Sequence, residues 1–215
     1  MPTTTKNPDE LPSATLLSKV ASYPVLDRDG KEHRFQDLYA GPDTTERTLI
    51  VFVRHFFCGS CQEYITRLST ALPLNTLAAL TPPTSIIIIG CGSPELIPYY
   101  ATQSSTPYTI YADPTRKLYE ELGMITSWNV GEQPGYISKS VARLAVEGIW
   151  QGLRQVFSGL VFSAGPGQQQ GGEFLFEKSG EVRWCHRMQS SWGHTEIGDL
   201  EGILRGKQVG GGEGQ

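Results

Sequence analysis

The stretch Leu49-Ile-Val-Phe-Val-Arg-His-Phe-Phe-Cys58-Gly-Ser-Cys61-Gln-Glu-Tyr-Ile65 leaves little freedom in how the chain can fold. A β-branched apolar run of strand length ends in two aromatics. Two cysteines spaced by two small residues follow, and then a helical pattern begins. A Cys-x-x-Cys between a strand and a helix is the redox arrangement of a βαβ unit. Placed at the helix N-terminus, Cys58 meets unpaired N–H groups and the positive end of the helix dipole, which favour thiolate over thiol. The thiolate is the nucleophile. Cys61, one turn on, is placed to attack a mixed disulfide or sulfenic acid formed on Cys58.

The flanking segments extend that unit. Tyr23 to Phe35 reads as a hairpin turning at Asp29-Gly30, and the central strand is expected from Thr48 to Phe56. A helix is expected from Ser60 to Leu80, broken or bent at Pro73, with Tyr64, Ile65, Leu68 and Leu72 facing the sheet. Ser85 to Cys91 is a continuous apolar strand of the parallel, doubly covered kind. Ser93-Pro94 opens a further helix, Tyr108 to Ala112 is a strand, and Asp113 to Gly123 is a capped helix ending at glycine. An apolar stripe from Val141 to Val156 predicts a helix over Ser138 to Phe157, inside an unusual insert at about 128–170. The stripe can cover the core, a substrate channel or a partner subunit. Glu173 to Glu177 and Glu181 to Met188 form a closing hairpin around Lys178-Ser-Gly180, and Thr195 to Leu204 a last helix. The organisation is a flexible arm at 1–13, a single domain at 14–205 and a Gly-rich tail at 206–215.

Composition narrows the function. A formal net charge of -4 in 215 residues argues against nucleic-acid or anionic-membrane partners. No apolar run is long enough to span a bilayer, and the polar N-terminus lacks the core of a secretory signal. Four cysteines in such a chain suggest a reducing, cytoplasmic setting, where a close pair is catalytic or metal-bound. A zinc site needs four ligands, and Cys91 and Cys185 stand alone, so no metal is expected.

Other residues support the pair or serve structure. Cys91 ends the strand beside the Cys58 strand and can act as a third, resolving thiol, or be a small buried residue. Arg54 and His55 point to opposite faces of a strand, so at most one approaches Cys58; either cation lowers a thiol pKa. Arg187, on one face with Arg183 and Cys185, can hydrogen-bond a thiolate or a bound peroxide, or lie on a solvated hairpin edge. His194 reads as a cap or surface residue before the last helix.

On Val-Phe-Val-Arg-His-Phe-Phe-Cys58-Gly-Ser-Cys61, Ile-Ile-Gly-Cys91-Gly-Ser-Pro-Glu, Tyr-Ala-Asp113-Pro-Thr-Arg-Lys-Leu-Tyr-Glu-Glu-Leu-Gly and Gln170-Gly-Gly-Glu-Phe-Leu-Phe-Glu, the chain resembles the peroxiredoxin-like AhpC/TSA antioxidant family, in particular its peroxiredoxin-like 2 branch. The resemblance spans about residues 20–205. It implies an α/β, thioredoxin-like fold: a central mixed β-sheet flanked by helices, with a helical insert before the closing β-hairpin. It also implies a thiol-dependent antioxidant role. Typical members carry a threonine and a proline ahead of the reactive cysteine, where this chain has His55 and Val51. Thioredoxins place a cis-proline opposite the redox pair; the corresponding substrate loop here is Gly171-Gly172. The expected activity is hydroperoxide reduction through Cys58, with Cys61 resolving to an intramolecular disulfide. No bound cofactor is expected; an external thiol reductant, thioredoxin or glutathione, regenerates the pair, and a homodimer is compatible with the sequence. The alternatives are a dithiol–disulfide oxidoreductase, and a biosynthetic tailoring enzyme with a small-molecule pocket under the insert.

Overall fold

A computed structural model describes residues 7–137 and 163–207. One seven-stranded sheet runs through it in the order β2-β1-β5-β4-β3-β6-β7. The strands are β1 (Pro24–Leu26), β2 (Glu32–Arg34), β3 (Arg47–Phe52), β4 (Thr84–Gly90), β5 (Thr109–Ala112), β6 (Gly172–Glu177) and β7 (Val182–Arg187). β3, β4 and β5 are parallel, and the flanking pairs are antiparallel. The sheet is therefore mixed, as expected. Gly30 and Gly180 both take positive φ in the two hairpin turns, the conformation a side chain resists.

Every residue of β3 is buried. Alternation divides them between two cores. Leu49 and Val51 pack with Ile86, Ile88 and Leu175 on the layer of α3 (Gly59–Ala71), α4 (Leu74–Ala78), α5 (Ile97–Ser104) and a C-terminal helix at Ile197–Leu204. Ile50 and Phe52 pack with Ile89, Phe174 and Phe176 on the layer of α1 (Ala14–Val20), α2 (Asp37–Ala40) and α6 (Lys117–Glu121). The C-terminal helix is α7.

Several expected boundaries move. β3 ends at Phe52 and not Phe56, because its antiparallel partner begins at Gly172, opposite Phe52. Beyond it the Val53 N–H still donates to the Ile89 carbonyl at 2.9 Å, and the Tyr119 hydroxyl, 2.8 Å from both the Val53 and Ile89 carbonyls, covers Val53 where β6 no longer reaches. The Ser60–Leu80 helix is two helices, since Pro73 has no N–H to continue α3. The Tyr108 hydroxyl covers the exposed end of α3, 2.7 Å from the Leu72 carbonyl. α6 starts four residues after Asp113, because Arg116 sits in the left-handed region at φ 59. Asp113 still caps it, accepting the Leu118 N–H at 2.9 Å. Residues 8–10 of the expected flexible arm lie against β7: the Arg187 N–H donates to the Pro8 carbonyl and Asp9 Oδ1 is 2.7 Å from His186 Nδ1. The helix expected at 138–157 and the end of the Gly-rich tail lie outside the described residues. No helix among the described residues is long and apolar enough to cross a membrane.

Candidate active site

Cys58 is the N-cap of α3, with extended φ and ψ of -77° and 102°, so its sulfur folds back over the first turn. Four groups converge on that sulfur. The Cys61 N–H donates at 3.4 Å, the Cys61 thiol lies 2.8 Å away, and Arg54 Nη1 donates at 3.5 Å. The Ser60 hydroxyl is 3.2 Å away and also bonds the Ser191 carbonyl. Both cysteines are free thiols, 3% and 0% exposed.

The balance of charges decides which sulfur ionises. Burial works against the Cys58 thiolate, but the Cys61 thiol, His55, Arg54 and Ser60 outweigh it, and the thiol is held well below its usual value. Cys61 goes the other way, pushed well up by burial, by its hydrogen bond to Cys58 and by the charge there. One proton is thus parked on Cys61 and shared toward a Cys58 thiolate. This is the ordering a nucleophile and a resolving thiol require.

Alternation left Arg54 and His55 equal, and the structure separates them. Arg54 is buried, bonds Cys58, and is held by the Gln169 carbonyl at 3.1 Å and by the Gly167 carbonyl. His55 is pushed below the usual imidazole value by burial, which outweighs the pull of Cys58, and Arg54 lowers it further. His55 therefore favours the Cys58 thiolate only while it is protonated, whereas Arg54 does so at every working pH. Arg54→Met is expected to slow alkylation of Cys58 by iodoacetamide about tenfold at slightly acid pH. In the unaltered chain the rate falls only as pH drops through the depressed thiol value. In the variant the fall starts at higher pH, and the two rates converge in alkali. Superimposable rate–pH curves would remove Arg54 from the site.

The remaining sequence candidates have other employment. Cys91 packs with the layer opposite α3, donates its thiol to the Arg54 carbonyl at 2.9 Å, and is pushed up to about 12, chiefly by burial. That bond braces the backbone of Arg54. Arg187 is neither at the redox pair nor on a solvated edge. Its guanidinium is buried, bonds the Leu122, Pro8 and Glu10 carbonyls, and lies over the Phe174 ring. Gly171 and Gly172 are buried within the sheet: the Gly171 carbonyl accepts from the Met188 N–H, and Gly172 pairs with both Phe52 and Arg187.

His194, read from sequence as a cap or surface residue, is buried with its Nδ1 2.5 Å from Glu173 Oε1 and its ring stacked on Tyr64. A glutamate at the head of the apolar run Phe174-Leu-Phe176, in a strand buried from its first residue, was the available signal. Its partner, 21 residues away, carried none.

Comparison with known proteins bears on the fold and the family. The model of the AhpC/TSA antioxidant enzyme family matches residues 67–190, more than half of the chain, beginning just past the Cys58–Cys61 turn. Human peroxiredoxin-like 2C is 29% identical over 188 residues, covering 86% of this chain and 78% of that protein. The same protein of Takifugu rubripes is 29% identical over 199 residues, covering 89% and 84%. Among solved structures, the bacterioferritin comigratory protein of Xanthomonas campestris superposes with a TM-score of 0.54 at 12% identity, covering 93% of this chain and 96% of that one. Peroxidoxin BcpB of Mycobacterium tuberculosis gives 0.51 at 12% identity, covering 86% and 92%. These likenesses establish the thioredoxin-like fold. The chain belongs to the peroxiredoxin-like AhpC/TSA antioxidant enzyme family.

Proposed function

We propose that this protein is a thiol-dependent oxidoreductase that reduces hydroperoxides at Cys58 and resolves through Cys61. One observation carries the reading: a buried sulfur at a helix N-cap receives the Cys61 thiol, the Cys61 N–H and the Arg54 guanidinium together. The Cys58 thiolate attacks the outer peroxide oxygen, the O–O bond breaks, and the departing alkoxide or hydroxide takes a proton to leave as alcohol or water. Cys58 becomes a sulfenic acid. Cys61 then attacks that sulfur, the S–O bond breaks, water leaves, and a Cys58–Cys61 disulfide remains. An external thiol of the thioredoxin or glutathione type returns both sulfurs to the reduced state. The match to the family and the activity named for its structural neighbour, alkyl peroxide reduction, support this reading.

The 2.8 Å separation of the two sulfurs also favours a second reading, dithiol–disulfide exchange without a sulfenic acid. One experiment divides them. Reduced protein is mixed rapidly with hydrogen peroxide, followed by tryptophan fluorescence, and its oxidised cysteines are mapped by mass spectrometry. Oxidation far faster than that of free cysteine, ending in a Cys58–Cys61 disulfide, is the expected result. Oxidation no faster than free cysteine, with rapid reaction toward a small disulfide, would transfer the assignment to the second reading.

A further inference from the structure

Buried ionisable side chains are costly unless paired, and the Glu173–His194 pair lies on the α3 side of the sheet without a part in the chemistry above. Glu173 stands on β6 opposite Val51, whose side chain belongs to the core that holds Cys58 and Cys61. The side chains of His194 and Glu173 are 1% and 0% exposed. The imidazole lies parallel to the Tyr64 ring, with centroids 4.3 Å apart and planes 3° apart. His194 Nε2 is buried without a hydrogen-bond partner among the described residues. With Glu173 ionised, Nδ1 carries the proton and Nε2 keeps its lone pair. A carboxylate holding an imidazole in this way makes the free nitrogen a base.

The loop that carries His194 runs along the first turns of α3. Its Ser191 carbonyl accepts from Ser60, beside Cys58, and its His194 ring covers Tyr64, one turn past Cys61. Tyr136 closes the enclosure, with its ring 5.1 Å from Tyr64 and its hydroxyl on the Trp192 carbonyl. Cys61 lies between those two anchor points on α3, and it is the group there that must lose a proton for the disulfide to close.

We infer that His194, oriented by Glu173, is the internal proton acceptor for Cys61. The inference rests on the dithiol reading above. When Cys61 attacks the Cys58 sulfur of a mixed disulfide, the Cys58–Cys61 bond forms, the bond from Cys58 to the outer sulfur breaks, that sulfur leaves as thiolate with the electron pair, and the Cys61 proton is held at His194 Nε2; from a sulfenic acid the same proton passes on to the departing hydroxide, which leaves as water. When a reductant later expels Cys61 as thiolate, that proton returns. His194 hydrogen-bonds neither sulfur, so it is a proton-holding residue and not a nucleophile. The ionisable groups around it are Glu173 from β6, Tyr64 from α3 and Tyr136 from the preceding loop; Cys61 and Glu173 both act on the Tyr136 hydroxyl, and Glu196, just before α7, acts on Tyr64. Both tyrosines are pushed upward, first by burial, so they stay protonated through the neutral range.

The test uses 5,5′-dithiobis(2-nitrobenzoate) on the full-length reduced protein. Cys58 attack releases one nitrothiobenzoate; Cys61 attack on the resulting mixed disulfide releases a second, and Cys61→Ser sets the zero for that phase. His194→Asn keeps an N–H donor toward Glu173 and deletes the base, and Glu173→Gln keeps the shape and deletes the charge. Between pH 5 and 9, His194→Asn is expected to slow the second release roughly a hundredfold and flatten its pH profile, with the first release nearly unchanged. Glu173→Gln should slow the second release less. A second release in His194→Asn that matches the unaltered protein in rate and pH profile overturns the inference. Equal slowing of both releases, the mark of a structural role, overturns it too. If the first release is no faster than from a free thiol, the nucleophile reading fails, while the second, unimolecular phase still decides the role of His194.

Discussion

Cys58→Ser is expected to lower peroxide consumption by at least about a thousandfold, because a serine hydroxyl at the same N-cap stays protonated and is a poor nucleophile. Every donor around position 58 would remain, yet none can make an alkoxide at neutral pH. Cys61→Ser is expected to behave differently. Its hydroxyl can still donate to the Cys58 sulfur, so the first oxidation persists, but no disulfide can close. The variant should consume about one equivalent of peroxide per chain and then stop, with a sulfenic acid on Cys58 that a dimedone probe captures. Peroxide assays with substoichiometric and excess oxidant read both outcomes. Unchanged consumption by Cys58→Ser would remove the proposed nucleophile; full turnover by Cys61→Ser would remove the resolving role and leave the nucleophile in place.

The second large effect lies behind the site. An ideal Cβ on Gly171 would stand 1.9 Å from the Phe52 carbonyl oxygen and 3.2 Å from Met188 Sδ. The oxygen belongs to backbone at the end of β3, so it cannot swing aside as a side chain can. Gly171→Ala is expected to destabilise the protein by about 3 kcal/mol, since β6 must move off β3 to admit the methyl group. Urea denaturation followed by tryptophan fluorescence measures it. Gly198→Ala is the control: a Cβ there in α7 meets nothing within 4 Å, and helix propensity favours the change by up to about 1 kcal/mol. Equal midpoints for the two variants would show that β6 has more freedom at Gly171 than the contact allows.

Local patterns carried most of the architecture. The Ile86–Ile89 run, the Asp29-Gly30 turn and the Pro73 break each act within a few residues, and each element stands where its pattern puts it. The end of β3 was hidden because apolar and aromatic residues continue to Phe57 after its antiparallel partner has run out. The site was half legible for the same reason. Cys58 and Cys61 announce themselves by spacing, whereas Arg54 is selected over His55 by the carbonyls of Gly167 and Gln169, more than a hundred residues on. Arg187 is claimed by backbone at Pro8 and Glu10, near the start of the described chain, and at Leu122, in its middle. Such partnerships are set by sheet order, and a strand's own alternation carries no trace of them.

The opposed ionisation of the four sulfurs makes this a selectively addressable molecule. Cys61, Cys91 and Cys185 are all pushed toward the neutral thiol, chiefly by burial, while Cys58 is driven toward the anion. For an electrophile small enough to reach α3, the chain presents a single handle. A small alkylating reagent offered in equimolar amount at mildly acid pH is expected to mark Cys58 ahead of the other three sulfurs, without any cysteine having to be engineered away.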